Sequence, residues 1–225
     1  MIINVLNFGM PLSDINKTNI ALVPKTNNPQ RMIDFRPISL CNVVYKLVSK
    51  TLANRLKAIL PYIISENQSA FIADRLITDN VLVAYEIMHF LKHKKGGNDS
   101  FMAVSKAFDR VEWAFIEKVT RKMGFNENWI MLVMNCISSM SYSVIINGTM
   151  YGNIIPSRGL RQDDPLSPYL FLLCAEGLSA LINDAARNNQ LNDISICRGA
   201  PKVSHLFLQT IASFFVRPMV MSATS

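Results

Sequence analysis

Adjacent carboxylates at Asp163-Asp164 are the residue type that holds hard divalent cations, and the pair has the form of a metal site. His89 and His93 stand four apart, the spacing that puts two imidazoles on one helix face. No glutamate directly follows His89 and no third ligand is evident, so the pair reads as solvated helix histidines. Cys41, Cys136, Cys174 and Cys197 lie far apart without a CxxC pair, which argues for buried, reduced thiols rather than zinc. Lys46, Lys50, Arg55 and Lys57 form a basic stripe that would suit a phosphate backbone, or equally a plain solvated helix surface.

The elements that must position these groups follow from local pattern. Thr18 to Pro37 is broken by Pro24, Pro29 and Pro37, leaving Asn19–Val23 as a strand. Val43 to Leu60 repeats apolar residues at helical spacing, with Pro61 as the stop. A second helix is expected from Asp79, as N-cap, to Lys95, ended by Gly96-Gly97. Phe101–Val104 reads as a short strand, and Glu112–Met123 and Asn128–Ser138 as helices parted by Gly124. Asn147-Gly148 marks a hairpin between Ser141–Ile146 and Met150–Ile155. Pro165 opens a long apolar helix reaching Asn188, and Ile194–Cys197 and Val203–Leu208 are short strand candidates. This alternation makes the chain α+β.

Bulk properties set outer bounds. The 225 residues are 50% hydrophobic and 17% charged, enough for a real core and too apolar for disorder. The net charge of +7 suits a polyanionic partner without demanding one. Met1 to Asn19 lacks the form of a signal peptide, and Tyr169–Cys174 is too short to span a membrane. The expectation is an intracellular protein of nucleus or cytoplasm, neither secreted nor membrane-bound.

Five ordered blocks carry a family resemblance. They are Ile20–Lys25 (Ile-Ala-Leu-Val-Pro-Lys), Asp34–Leu40 (Asp-Phe-Arg-Pro-Ile-Ser-Leu), Asn67–Phe71 (Asn-Gln-Ser-Ala-Phe), Ser105–Trp113 (Ser-Lys-Ala-Phe-Asp-Arg-Val-Glu-Trp) and Ser157–Pro168. The last, containing Arg161-Gln162-Asp163-Asp164-Pro165-Leu166-Ser167-Pro168, closely resembles the Arg-Gln-Gly-Asp-Pro-Leu-Ser-Pro block of reverse transcriptases. Together the blocks resemble plant non-LTR (LINE-type) retrotransposons over Asn16 to Leu208.

The resemblance implies an incomplete right-hand polymerase without thumb: fingers over 1–95, palm over 96–208, and a tail at 209–225. It implies Mg2+ as cofactor and an RNA template with a DNA primer as partners; oligomeric state is left open. By motif position, Lys25 and Arg36 grip the incoming triphosphate. Phe108 excludes a 2′-hydroxyl, Asp109 is structural or nucleotide-adjacent, and Gln162 lies near the nucleotide's 3′ side. Arg75 and Arg161 touch template or nucleotide phosphates.

The chemistry the family performs needs two metal ions held by converging carboxylates. One aspartate is due three residues before Lys106, where Ala103 stands, and the resemblance implies that about four residues are missing there. An aspartate pair is due after Val203-Ser204-His205-Leu206-Phe207, where the chain reads Leu208-Gln209-Thr210-Ile211-Ala212-Ser213. If those codons are TTG CAG ACG ATA GCT TCT, restoring one T before them reads Phe-Ala-Asp-Asp-Ser-Phe. A one-nucleotide deletion would make residues from Gln209 to Ser225 out-of-frame and cost the palm its central hairpin. Asp163 also replaces the family's glycine, which permits positive φ and close backbone approach to substrate.

The sequence reading is therefore a reverse transcriptase fragment by descent, inactive, with no catalytic or metal residue intact and the nucleotide-binding positions vestigial. Two alternatives accompany it: a residual RNA- or DNA-binding module, and a weakly active polymerase using Asp109, Asp163 and Asp164.

Overall fold

The computed structural model describes residues 2–65, 68, 72, 75–93, 100–104, 107–188, 190, 205–208 and 211–216. The chain forms two compact units, Met1–Ile59 with Phe108–Leu173, and Leu60–Ala107 with Cys174–Ser225. Each unit draws on both of the contiguous segments 1–95 and 96–208.

The first unit is built on a four-stranded mixed sheet. Strands β1 (Lys17–Pro24) and β2 (Phe35–Cys41) pair antiparallel, β1 pairs parallel with β4 (Ser141–Ile146), and β4 pairs antiparallel with β5 (Thr149–Ile154). The spatial order is β2-β1-β4-β5. β2 was not expected, because its Pro37 cannot donate to a ladder; β2 lies at the sheet's edge, where proline is tolerated. Asn147 at φ 50° and Gly148 at φ 81° supply the two left-handed residues of the β4–β5 turn, as expected.

The same unit contains α1 (Ile2–Phe8), the greater part of α2 (Val43–Ile63), α4 (Trp113–Lys122) and α5 (Glu127–Ser138). Tyr45, Val48, Leu52 and Leu56 form the buried face of α2, while Lys46, Lys50, Arg55 and Lys57 are exposed. Pro61 does not stop α2, which runs to Ile63. A proline in the last turn sacrifices one hydrogen bond, and Ile64 N–H still reaches the Leu60 carbonyl at 3.0 Å. α5 begins one residue early because Asn126 caps it, its side chain accepting from Asn128 N–H at 2.9 Å.

The second unit contains α3 (Ile77–His93) and a three-stranded antiparallel sheet of β3 (Ser100–Val104), β7 (Ile211–Val216) and β6 (His205–Leu208), in the order β3-β7-β6. α3 starts two residues before the expected cap Asp79, and Gly96-Gly97 and Ile194–Cys197 lie outside the described residues. The expected loss of the central hairpin is corrected: β6 and β7 pair from His205↔Phe214 to Leu208↔Ile211. Ile211-Ala212-Ser213-Phe214-Phe215-Val216 is rich in β-branched and aromatic residues, so it pairs as a strand whatever its coding history.

The long helix α6 (Ser167–Arg187) contributes to both units. It is the one described helix long and apolar enough to cross a membrane on length and composition, with a mean hydropathy of 1.3. A buried core helix meets the same test, and Leu170, Phe171, Leu172 and Leu173 are buried within the protein.

Candidate functional site

The loop from Ser157 to Leu166 is pinned to the segment 108–113 by three bonds. Gly159 N–H donates to the Val111 carbonyl at 2.7 Å, Leu160 N–H to the Phe108 carbonyl at 2.9 Å, and Trp113 Nε1–H to the Gly159 carbonyl at 2.8 Å. Gly159 is needed twice. Its φ is 89°, and a Cβ there would meet the Asp109 carbonyl oxygen at 3.1 Å and its Cα at 3.3 Å. The two family blocks are thereby locked together through backbone groups.

The loop then closes one side of a cleft of about 220 Å³ in the first unit. Asp109, Gln162 and Arg161 line it, opposite Ile20, Pro37 and Ser39 of the β1–β2 pair. Three of the residues expected at a nucleotide site are thus gathered. Asp109 and Gln162 are exposed, whereas Arg161 is only 3% exposed.

Arg161 is held from several sides. Its Nη2 donates to Asn16 Oδ1 at 2.7 Å, Nη1 lies 3.4 Å from Cys41 Sγ, and the guanidinium sits 4.6 Å from the Tyr45 ring centroid and 5.7 Å from that of Tyr142. Asn16 in turn donates to the Cys136 carbonyl at 2.8 Å and to Ser139 Oγ at 2.9 Å. Burial disfavours the charged guanidinium most, but Tyr45, Cys41, Tyr142 and the Asp164 carboxylate together outweigh it and hold Arg161 above its ordinary value.

Asp164, 4% exposed, lies in the same interior. Tyr45 OH donates to its Oδ2 at 2.7 Å, Ser49 Oγ–H donates to Oδ1, and Leu166 N–H reaches Oδ1 at 3.2 Å. Burial first, then the Asp164 charge, holds the Tyr45 phenol well above its ordinary value. The bond to Leu166 N–H closes a turn ahead of α6, and because the helix begins at Ser167, Pro165 lies in that turn rather than opening the helix as expected. Asp163, between these buried neighbours, is exposed and adopts φ 65°. The positive φ inferred for the family's glycine is present here on an aspartate.

The remaining expected residues stand elsewhere. Phe108 stacks on Phe171 with ring centroids 4.5 Å apart. Lys25 is exposed at the β1–β2 turn, where its Nζ donates to the Ile33 carbonyl at 2.9 Å. Arg36 is exposed on β2, paired in register with Val23. Arg75, in the second unit, donates to the carbonyls of Ser65 at 2.5 Å, Gln68 at 2.6 Å and Ile64 at 3.3 Å. Its guanidinium is occupied by the carbonyls that follow α2, a use its sequence position did not indicate.

Mg2+ needs converging oxygen ligands. Strands β3, β6 and β7 contain no aspartate or glutamate, and Ala103 stands in register with Ser213. Of the two positions where the restored frame would place the acidic pair, Thr210 lies outside the described residues and Ile211 opens β7. Among the described residues no three histidine, cysteine or acidic side chains gather to hold a metal, so Asp109, Asp163 and Asp164 do not form the substitute site considered above. Both Asp164 oxygens are already engaged. The described residues do not fit the two-metal group.

Asn16, Tyr45 and Ser49 were not singled out from sequence. A usable signal was there for Ser49. It sits four residues from Tyr45, within the apolar face of α2, and a hydroxyl on such a face implies a buried acceptor.

The structure is a mixed α/β chain with a parallel β1–β4 pair and a cleft walled by the Asp109 segment and the Gln162 loop. Residues 23–200 match the family "Reverse transcriptase (RNA-dependent DNA polymerase)", and the chain belongs to it. The Transposon TX1 uncharacterized 149 kDa protein of Xenopus laevis is 30% identical over 175 residues, covering 77% of this chain and 13% of that protein. The Retrovirus-related Pol polyprotein from type-2 retrotransposable element R2DM of Drosophila melanogaster is 31% identical over 165 residues, covering 73% of this chain and 15% of the polyprotein. An uncharacterized mitochondrial protein of Arabidopsis thaliana is 52% identical over 62 residues, 28% of this chain and 51% of that one. Apo telomerase from Candida tropicalis, truncated from its C-terminal domain, overlays with a TM-score of 0.47 at 13% identity, covering 92% of this chain and 44% of that one. The chain thus spans well under a fifth of the length of the TX1 and R2DM proteins.

Proposed function

We propose that this chain carries the fingers and palm of a plant non-LTR (LINE-type) reverse transcriptase, and that as written it does not polymerise DNA. The observation that carries the second half is the composition of the β3-β7-β6 sheet, which offers no carboxylate where the family's chemistry needs two metal ions. The cleft lined by Asp109, Arg161 and Gln162 supports the first half, as a nucleotide pocket whose walls outlast its catalytic centre. Plant origin is supported by the 52% identity to the Arabidopsis protein. An RNA template and DNA primer are its ancestral partners, and the setting is nucleus or cytoplasm.

The test is primer extension on poly(rA) with Mg2+ or Mn2+, using the chain beside a repaired version. Repair means restoring the strand aspartate, Asp163→Gly and the Phe-Ala-Asp-Asp hairpin. Extension by the repaired chain alone is the expected result, and extension by both would overturn inactivity.

A second reading, residual nucleic-acid binding, is favoured by α2. At about 100° per residue, Lys46, Lys50 and Lys57 fall within about 40° of arc on one exposed face, with Arg55 opposite. Binding to single-stranded RNA that weakens steeply with salt, and less steeply after changing the three lysines to glutamine, is its expected signature. A salt slope unchanged by those substitutions would remove it.

A further inference from the structure

His89 and His93 lie in the last two turns of α3, both exposed, with ring centroids 4.2 Å apart and planes inclined by 36°. The His93 Nδ1 atom lies 2.8 Å from the His89 carbonyl oxygen. A carbonyl can only accept, so Nδ1 carries the proton of that bond. In the neutral ring this leaves the lone pair on Nε2, free of the helix backbone. An imidazole anchored through one nitrogen to a backbone carbonyl, with the other nitrogen open, has the arrangement that orients metal-binding histidines. Tyr85 stacks against His89 from the preceding turn, centroids 6.4 Å apart, which restricts the second ring as well.

We propose that His89 and His93 form a two-imidazole clamp for a divalent transition-metal ion of the Zn2+, Ni2+ or Cu2+ type, unrelated to the Mg2+ chemistry of the family. Imidazole nitrogen suits these borderline ions, whereas Mg2+ takes hard oxygen ligands. Two residues four apart on a helix present both rings to one ion. Among the described residues no third histidine, cysteine or acidic side chain joins them, so water completes the coordination and the ion exchanges readily. Binding ties together consecutive turns at the C-terminal end of α3 and stabilises it.

The experiment is calorimetric titration of the untagged full chain with NiCl2 at pH 7.5. Variants are His89→Ala, His93→Ala and Lys92→Ala, and MgCl2 serves as the control ion. The chain has three histidines and His205 is buried, so a histidine site on the surface must involve this pair. Saturable binding of one Ni2+ is expected, weakened at least about tenfold by either histidine change, the lower end of what losing even an outer partner of a ligand does. Lys92→Ala leaves binding unchanged, Mg2+ gives no heat of binding, and Ni2+ raises the melting temperature of the parent chain and of Lys92→Ala more than that of either histidine variant. Both histidines are exposed, so the variants keep their fold, which far-ultraviolet circular dichroism checks. Equal Ni2+ affinity in His93→Ala, no saturable binding by the parent chain, or equal binding of Mg2+ would each overturn the proposal.

Discussion

The Tyr45 hydroxyl donates to Asp164 Oδ2 at 2.7 Å, joining the first turn of α2 to the turn that precedes α6 across 119 residues of chain. Both residues are buried, and the described contacts of the carboxylate are hydrogen-bond donors rather than a formal ion pair. Tyr45→Phe removes one donor and leaves the remaining acceptor desolvated. The expected loss is about 1–3 kcal/mol of folding stability, read as a lowered urea midpoint. An unchanged midpoint would mean that water reaches Asp164.

The same bond predicts alkaline behaviour. Burial and the Asp164 charge hold the Tyr45 proton in the folded state well above its ordinary value of 10.0. The unfolded chain releases that proton first, so its contribution to stability is intact below pH 10 and declines as pH rises beyond. Buried Cys136 is raised in the same direction by desolvation, and the Cys174 thiol is pushed up to about 12. Urea midpoints at pH 8 and pH 11 should therefore fall more in the parent chain than in Tyr45→Phe. Equal falls would remove Tyr45 from the account.

Gly159→Ala tests the lock between the two family blocks. The new Cβ would stand 3.1 Å from the Asp109 carbonyl at a φ of 89°. A left-handed alanine costs about 1–2 kcal/mol before any clash is counted. A clear drop in melting temperature is expected, with loss of the Trp113 environment in near-ultraviolet circular dichroism. A variant as stable as the parent would mean that the loop is not held against Asp109.

Asp163→Gly should move stability the other way. Asp163 holds φ 65°, and it is exposed, so glycine relieves strain without emptying a core site. The gain is on the order of 1 kcal/mol, within the penalty for left-handed L-residues. A loss on substitution would show that the aspartate side chain makes a stabilising contact of its own.

Arg161→Lys keeps the charge and loses the fork that reaches Asn16 and Cys41. Roughly 1.5–3 kcal/mol of destabilisation is expected, the range for hydrogen bonds to charged groups. In a double-mutant cycle, Asn16→Ala and Arg161→Lys should fall short of additivity, because each removes the same bond. Strict additivity would show that the two do not interact in solution.

Much of the frame was legible beforehand. Asn147-Gly148 specified its hairpin because only residues tolerant of positive φ fit the turn. The helices α2, α4, α5 and α6 announced themselves through period and caps, with ends shifted by a few residues. β2 and β7 did not. A proline-bearing edge strand and a strand in a suspected foreign reading frame are recognised by their partners, and partners are remote in sequence.

The sequence by itself determined the family, through ordered blocks each read within a few residues, and it determined that the strands β3, β6 and β7 carry no carboxylate. Side-chain type is a local property that no fold can alter. Only the tertiary structure decided that Arg161 and Asp164 are buried members of one interior, while Asp163 between them faces solvent. It likewise decided that the Arg75 guanidinium binds the carbonyls following α2. A charged side chain becomes structural or available according to which donors and acceptors arrive from 10 or 145 residues away, and nothing in its neighbours' identities encodes that arrival.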